Sequence, residues 1–348
     1  MSSPVRLADT AASPDLNFLA SRAAEIGDDV SLALELVVDM SRTVPMPAAG
    51  RTLHRWDALA TLGAADLTAA RVAEPHLDAL AILDEAAAAG MPVDLDVIGA
   101  DAGSTWGVFA AEGPGMSVLA TGSGDRWTLR GTKPWCSLAG RLSHALITAS
   151  TGEGRGLFAI SLRDGDLEVP AGAWAARGLT HVPSGPLVIG AAPAVPVGPA
   201  RWYLERPGFA WGGIGVAAVW HGGAVGVARR LFDHGADKPE DPLRLAALGA
   251  VDTALTGARS VLAASAAAID HGTPSPALLA SRVRGVVAAA TELTLIRAGH
   301  TLGPAALALE ETHARRVADL TLYLRQHHAE RDDLALGTAL VKDGTRPW

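Results

Sequence analysis

The apolar residues of this chain change their period twice, and that change limits the fold more than any single motif does. From about residue 14 to 89 they recur at helical spacing, as in Leu32, Leu36, Val37 and Met40, or Leu77, Leu80, Ile82 and Leu83. Pro45, Pro47 and Gly50 separate helices there, Ser13-Pro14 and Ala65-Asp66 read as helix starts, and Gly90 with Pro92 reads as a stop. Between about residue 97 and 199 the pattern becomes short segments divided by glycine. Segments 116–120 and 127–130 flank Thr121-Gly122-Ser123-Gly124-Asp125-Arg126, a hairpin signal, and 146–149, 157–161, 167–169 and 187–189 are further strands. Strands this short predict a compact antiparallel barrel or sandwich. Beyond Arg206-Pro207-Gly208, helices are expected over 213–234, 242–271, 276–302 and 304–336, lengths that fit an antiparallel four-helix bundle. The reading is an α+β multidomain chain: an N-terminal helical domain over 1–95, a middle β domain over 96–200 and a C-terminal helical bundle over 201–348.

Composition removes several classes of function. With 348 residues, 49% of them apolar and 19% charged, the chain has enough apolar surface to offset its ordering entropy. Its net charge of −8 supplies no cationic field for nucleic acid or an anionic membrane. The single cysteine, Cys136, rules out a disulfide framework and a multi-thiolate metal site. The opening MSSPVRLADT lacks the basic head and apolar core of an export signal, so a cytoplasmic location is expected. Charges at Asp252, Arg259, Arg282 and Arg284 interrupt the most apolar helical stretches, and no membrane span is expected.

Five local patterns bear on chemistry, each with a plain structural alternative. Gly213-Ile214-Gly215-Val216-Ala217-Ala218 has dinucleotide-fingerprint spacing, but 201–211 does not read as the buried strand such a fingerprint needs. With Gly222, Gly223 and Gly226 downstream, it reads better as a helix face against which another backbone or a flat ligand lies close. Glu112-Gly113-Pro114-Gly115-Met116-Ser117 is a turn whose amides, with the Ser117 hydroxyl, suit phosphate oxygens; an ordinary turn is the alternative. Trp135 and Ser137, at a strand end, can pack on and hydrogen-bond a flat heterocycle, or serve as a core indole and a surface serine. Cys136 has no base motif beside it and reads as a small buried residue. His327-His328 falls on the expected last helix, where neighbouring residues diverge by about 100°, a poor chelate but a possible base at His327.

Together these pieces resemble the acyl-CoA dehydrogenase superfamily, which orders its chain as helices, β domain and helical bundle with FAD between the last two. Ala111-Glu112-Gly113-Pro114-Gly115-Met116-Ser117 looks like that family's T-E-P-x-x-G-S turn, and Gly131-Thr132-Lys133-Pro134-Trp135-Cys136-Ser137 looks like its G-x-K-x-W-I-T segment. The resemblance implies flavin contacts for Glu112, Ser117, Trp135 and Ser137. It also makes Leu302-Gly303-Pro304-Ala305-Ala306 a degenerate cofactor turn, with Gly303 as its glycine. Gly303 and Asp319 are sixteen positions apart, as in the family, and eight more reach His327 in the place of the family's catalytic glutamate. The departures are specific. Ala111 stands for the threonine, Pro304 and Ala306 for glycines, and Ala318 for the arginine of an R-D pair. The alternative base position, near Val216, holds no carboxylate, and the cross-subunit R-x-x-F-G motif is replaced by the loop at 236–242.

Three functions follow from the resemblance. One is an FAD-dependent α,β-dehydrogenation of acyl-CoA or another acyl thioester, with His327 as base and an electron-transfer partner as acceptor. A second is flavin-dependent monooxygenation, since some members of the superfamily lack the glutamate and carry histidine in that region. A third is a degenerate, non-catalytic scaffold. Because the family assembles through its C-terminal bundle, a homodimer or higher homo-oligomer is implied.

Overall fold

The structure, a computed structural model, describes residues 3–9, 14–344, 346 and 348. Four helices come first: α1 (Pro14–Ile26), α2 (Val30–Met40), α3 (Thr52–Ala65) and α4 (Leu67–Ala88). Asp29 caps α2 by accepting from the Ser31 and Leu32 amides, and Asp66 caps α4 by accepting from the Ala69 amide. Ser13, part of the expected start of α1, lies outside the described residues.

Seven strands follow: β1 (Trp106–Phe109), β2 (Val118–Ser123), β3 (Arg126–Lys133), β4 (His144–Thr151), β5 (Gly154–Ser161), β6 (Asp166–Glu168) and β7 (Leu187–Pro196). Five of them close a barrel in the ring order β4-β2-β3-β7-β5, while β1 extends β4 and β6 extends β7. The expectation of a purely antiparallel barrel needs correction, because β1 and β2 both run parallel to β4. The cause is the connection from β3 to β4, which skips past β2 and brings β4 in along the direction of β2. The β2–β3 hairpin turn is also tighter than expected. Pairing continues to Ser123↔Arg126, leaving Gly124-Asp125 as the loop, with Gly124 at φ +56°.

The remaining helices are α5 (Trp202–Glu205), α6 (Pro207–Ala236), α7 (Pro242–Asp270), α8 (Pro276–Leu309), α9 (Glu311–Tyr323) and α10 (Glu330–Asp343). Gly213 to Ala218 lie inside α6 with helical residues before them, so the dinucleotide fingerprint has no strand to serve. The glycines instead allow α6 to lie against α3. A Cβ on Gly222 would collide with the Ala60 carbonyl, and one on Gly63 with that of Val219. As a result α3 packs on α6 as extensively as α8 does, and one cluster of buried side chains runs from Leu7 through the barrel to Leu324. Arg206 fixes the start of α6: its buried guanidinium bonds Glu85 at 2.6 Å, and the same carboxylate accepts from the Gly208 amide at 3.2 Å.

The single final helix expected over 304–336 is broken. Gly303 sits at φ +69°, ψ −171° within α8, Glu310 is extended between α8 and α9, and a 3₁₀ turn (Leu324–Gln326) ends α9. His327 then adopts φ −89°, ψ 120°, and Ala329 adopts φ +48° before α10 starts. His327 and His328 therefore leave a turn rather than a helix face, which replaces the helical geometry expected for the pair. Among the described residues one helix, α7, is long and apolar enough by length and composition to cross a membrane; it packs along α6 and α8 and carries Asp252 and Arg259.

Candidate functional site

The segment joining β3 to β4 separates two differently built regions. At the barrel mouth a cavity of about 250 Å³ is lined by Glu112, Ser117, Lys133, Pro134, Thr148 and Arg155, among others. Lys133 is buried at the end of β3, and its ammonium donates to the Thr148 carbonyl at 3.1 Å and the Thr148 hydroxyl at 2.7 Å. Burial, with the Arg155 charge adding to it, pulls the Lys133 pKa down to about 8. Arg155 also donates to Thr148 Oγ1, at 2.9 Å, to the Ala110 carbonyl, and to Glu112 at 2.9 Å. Thr148 thus holds two cations against one wall. Two of the three ammonium protons of Lys133 are engaged there, and the third remains for a ligand in the cavity.

Beyond Pro134 the chain turns sharply. Trp135 has φ +59° and is 57% exposed, its indole edge-on to Trp174 at 6.5 Å. This is neither a core tryptophan nor one packed flat on protein. Cys136 is buried, and burial raises its thiol to about 12, so it is a poor nucleophile at neutral pH. Ser137 is buried rather than at the surface. Its Oγ accepts from Arg71 Nη2 at 3.0 Å and lies 2.7 Å from Ser184 Oγ, whose hydroxyl donates to the Val182 carbonyl at 3.0 Å.

From Ser137 a charged network runs into the interior. Arg71 pairs with Glu74 at 3.1 Å, and the Tyr323 hydroxyl donates to the same Glu74 oxygen at 3.0 Å, with the guanidinium lying over the Tyr323 ring. Burial pushes the Glu74 carboxyl up, offset in part by Arg71 and Tyr323, and drives the Tyr323 phenol well above its ordinary value. Asp78, one turn further along α4, is also raised by burial and faces Arg206 at 3.9 Å. Arg284, from α8, covers the buried Trp220 ring at 4.7 Å and donates to the Gln326 carbonyl next to His327.

His327 is reached from this side. Its imidazole is edge-on to Trp220 at 6.3 Å, and burial first, then the Arg284 charge, lowers its pKa below the ordinary histidine value against the pull of Asp332. This direction favours the neutral ring. Its Nδ1 accepts the Ala329 amide at 3.3 Å, which places the proton on Nε2, 3.8 Å from an Asp332 oxygen.

The structure thus gathers Glu112 and Ser117 in one cavity, and sets Trp135 and Ser137 on the turn beside it. Gly303 and His327 do not line that cavity. Gly303 provides the break in α8, with nothing within 4 Å of where its Cβ would be. Sequence reasoning missed Arg71, Glu74, Lys133, Arg155, Ser184 and Tyr323. The available signal was Arg71, Glu74, Asp78 and Glu85 spaced along a mostly apolar helix.

No family model and no curated protein matches the chain. Solved structures do. Dibenzothiophene monooxygenase TdsC from Paenibacillus sp. A11-2 is 17% identical, with a TM-score of 0.70 over 95% of this chain and 98% of that one. KijD3 in complex with dTDP is 18% identical, with a TM-score of 0.74 over 94% and 93% of the two chains. A nitrososynthase from Micromonospora carbonacea var. africana is 17% identical, with a TM-score of 0.72 over 91% and 94%. TdsC and KijD3 have also been solved with FMN bound. At such identities the likeness shows a shared fold and nothing further.

Proposed function

We propose that the protein is a flavin-dependent oxidoreductase that oxygenates a small polar substrate, with the flavin phosphate at the barrel mouth and the ring system across the Trp135–Ser137 turn. The residues fit such a group. Lys133, Arg155 and the Ser117 hydroxyl provide donors of the right charge for a phosphate, and Trp135 leaves an uncovered indole for a flat ring. FMN, as bound in TdsC and KijD3, takes the place of the FAD that the resemblance implies. When bound and reduced, a flavin supplies the electrons that activate dioxygen.

The observation that carries this reading is the state of His327. A base for the α proton of a thioester needs a free lone pair, and the lone pair of neutral His327 is engaged by the Ala329 amide. What the ring offers instead is an Nε2–H, a donor in a largely dry setting. The spacing of Asp319 and His327 keeps acyl-thioester dehydrogenation as the second reading. We retain the divisions at 95/96 and 200/201 as a proposal for the domain layout, and a homo-oligomer formed through the C-terminal helices as a proposal for assembly.

The test is to supply purified protein with reduced FMN and to follow oxygen-dependent product formation over a panel of small polar substrates. In parallel, acyl thioesters are added anaerobically to the oxidised flavin complex. Flavin bleaching by a thioester would replace the oxygenase reading with the dehydrogenase one. Failure to take up flavin at all would leave the scaffold.

A further inference from the structure

Lysine is rare in this chain. Lys133, Lys238 and Lys342 stand against 26 arginines, and of the three only Lys133 is buried. The choice has chemical content, because an ammonium can give up a proton and become a nucleophile, whereas a guanidinium stays charged. At Lys133 the surroundings allow that loss without breaking a hydrogen bond. The Thr148 carbonyl can only accept, and the Thr148 hydroxyl, whose own proton goes to the Ala110 carbonyl at 3.4 Å, accepts from Lys133 as well. Two N–H groups are therefore committed in either protonation state. Among the described residues no third acceptor meets the nitrogen. Its fourth tetrahedral position holds a proton in the ammonium and a lone pair in the amine, and this is what Lys133 has left to offer the cavity it lines.

The groups that act on this nitrogen come from several elements. Burial and Arg155 on β5 favour the amine, while Cys136 after β3 and Glu112 before β2 favour the ammonium, leaving the pKa at about 8. The free amine is thus a minor but populated form at neutral pH. Arg155 and the Ser117 hydroxyl share the cavity and suit an anionic group, since the Glu112 carboxylate that now meets Arg155 at 2.9 Å is exposed and can be displaced. We propose that Lys133 is a reactive amine that captures an aldehyde carrying an anionic group, forming an imine at the barrel mouth. In this step the lone pair forms a bond to the aldehyde carbon, the carbonyl oxygen leaves as water with the two amine hydrogens, and a C=N bond remains. The exchange is redox-neutral and needs no further reagent. Protonation of the imine from solvent restores one N–H for Thr148. The inference stands on the cavity and not on the flavin reading: a flavin phosphate meets the ammonium and an aldehyde meets the amine, so each excludes the other.

The probe is pyridoxal 5′-phosphate, an aldehyde with a phosphate ester, compared with pyridoxal, which lacks the phosphate. Each is incubated with the full chain, trapped with borohydride and mapped over the three lysines by mass spectrometry. Lys133 is expected to label before the exposed Lys238 and Lys342. It should react at least about tenfold faster with the phosphorylated probe, as one charge-assisted hydrogen bond to the anion implies. Its labelling rate should rise roughly tenfold from pH 7 to 9 and then level off, whereas an amine at the ordinary 10.5 would keep climbing. Lys133→Arg keeps the charge and removes the nucleophile, so the fast phase of imine formation disappears. Labelling confined to Lys238 and Lys342, equal rates for the two probes at Lys133, or a rate that does not level off overturns the proposal. If Lys133→Arg does not fold, the map of the natural chain decides alone. Failure of the chain to take up flavin leaves the result unchanged, because the aldehyde is the only ligand used.

Discussion

At the barrel mouth, Lys133 and Arg155 stand on one wall of a cavity open to solvent, and Arg155 meets a Glu112 side chain that is 70% exposed. On the other side of the Trp135–Ser137 turn, Arg71 and Glu74 are 14% and 11% exposed, and every polar contact closes on another protein group. Both regions are ionic, yet the difference in water access gives them different work. The mouth has an unengaged ammonium proton and can bind an anion. Around Arg71 and Glu74 the donors and acceptors are already matched, so this pair holds its neighbours in place and does not itself bind an anion. Substitutions at the mouth should therefore act on affinity, and those inside should act on stability first.

The largest effect is expected at Glu74. Glu74→Ala leaves the Arg71 guanidinium and the Tyr323 hydroxyl buried without their shared acceptor, at a cost of about 3 kcal/mol in unfolding free energy. Calorimetry or chemical denaturation reads this directly. The double variant Arg71→Leu with Glu74→Leu should recover most of the loss, since it removes both charges. A loss below about 1 kcal/mol for Glu74→Ala would mean that water reaches the pair and that the contrast between the two regions is false.

Next comes Lys133→Met. It removes the ammonium proposed to hold a flavin phosphate and should weaken FMN binding by at least about tenfold. Stability should change by less than about 1 kcal/mol, because a buried ammonium is exchanged for an apolar chain of similar shape while Thr148 keeps Arg155. A pH series on the natural chain sharpens the same point. The Lys133 pKa of about 8 means that the cation is lost as pH rises through 8, while the FMN phosphate stays dianionic. FMN affinity should fall several-fold between pH 7 and 9, and Lys133→Met should flatten that dependence. Stability moves the other way. The folded pKa lies below the unfolded value of 10.5, so the unfolded chain binds more protons between pH 8 and 10.5 and stability rises with pH across that window.

How much of this could be read from the sequence depends on how local the cause is. The hairpin was legible because Gly124 and Asp125 sit between alternating strands, and the Asp66 cap was legible because it precedes an apolar run. The breaks around Glu310 and Ala329 were not. Leu320, Leu322 and Leu324 keep apolar residues running to the end of α9, and nothing in that run marks where the helix stops. In the site, Trp135 and Ser137 stood out as a strand end. Arg71 and Glu74 looked like any i,i+3 surface pair, because the serine that Arg71 meets is 66 positions away and the tyrosine bonded to Glu74 is 249 away. Ser184 carried no signal at all, since the serine it meets is 47 positions away.

The smallest effect is expected at Glu112, and it tests the open end of the comparison. Its carboxylate is 2.9 Å from Arg155, but with 70% of the Glu112 side chain and 27% of the Arg155 side chain exposed, water screens the pair. Glu112→Gln should change stability by no more than about 0.5 kcal/mol. It should, however, release Arg155 from its anionic partner at the cavity and take a negative charge away from the incoming phosphate. FMN affinity is therefore expected to rise about twofold at low ionic strength, and the gain should vanish near 0.5 M salt, where the Debye length is roughly 4 Å. Titration at two salt concentrations measures both. A loss of affinity would instead assign Glu112 to the flavin as a direct partner, as its place in the family-like turn implies, and would move it from the electrostatic rim of the cavity to its contact surface.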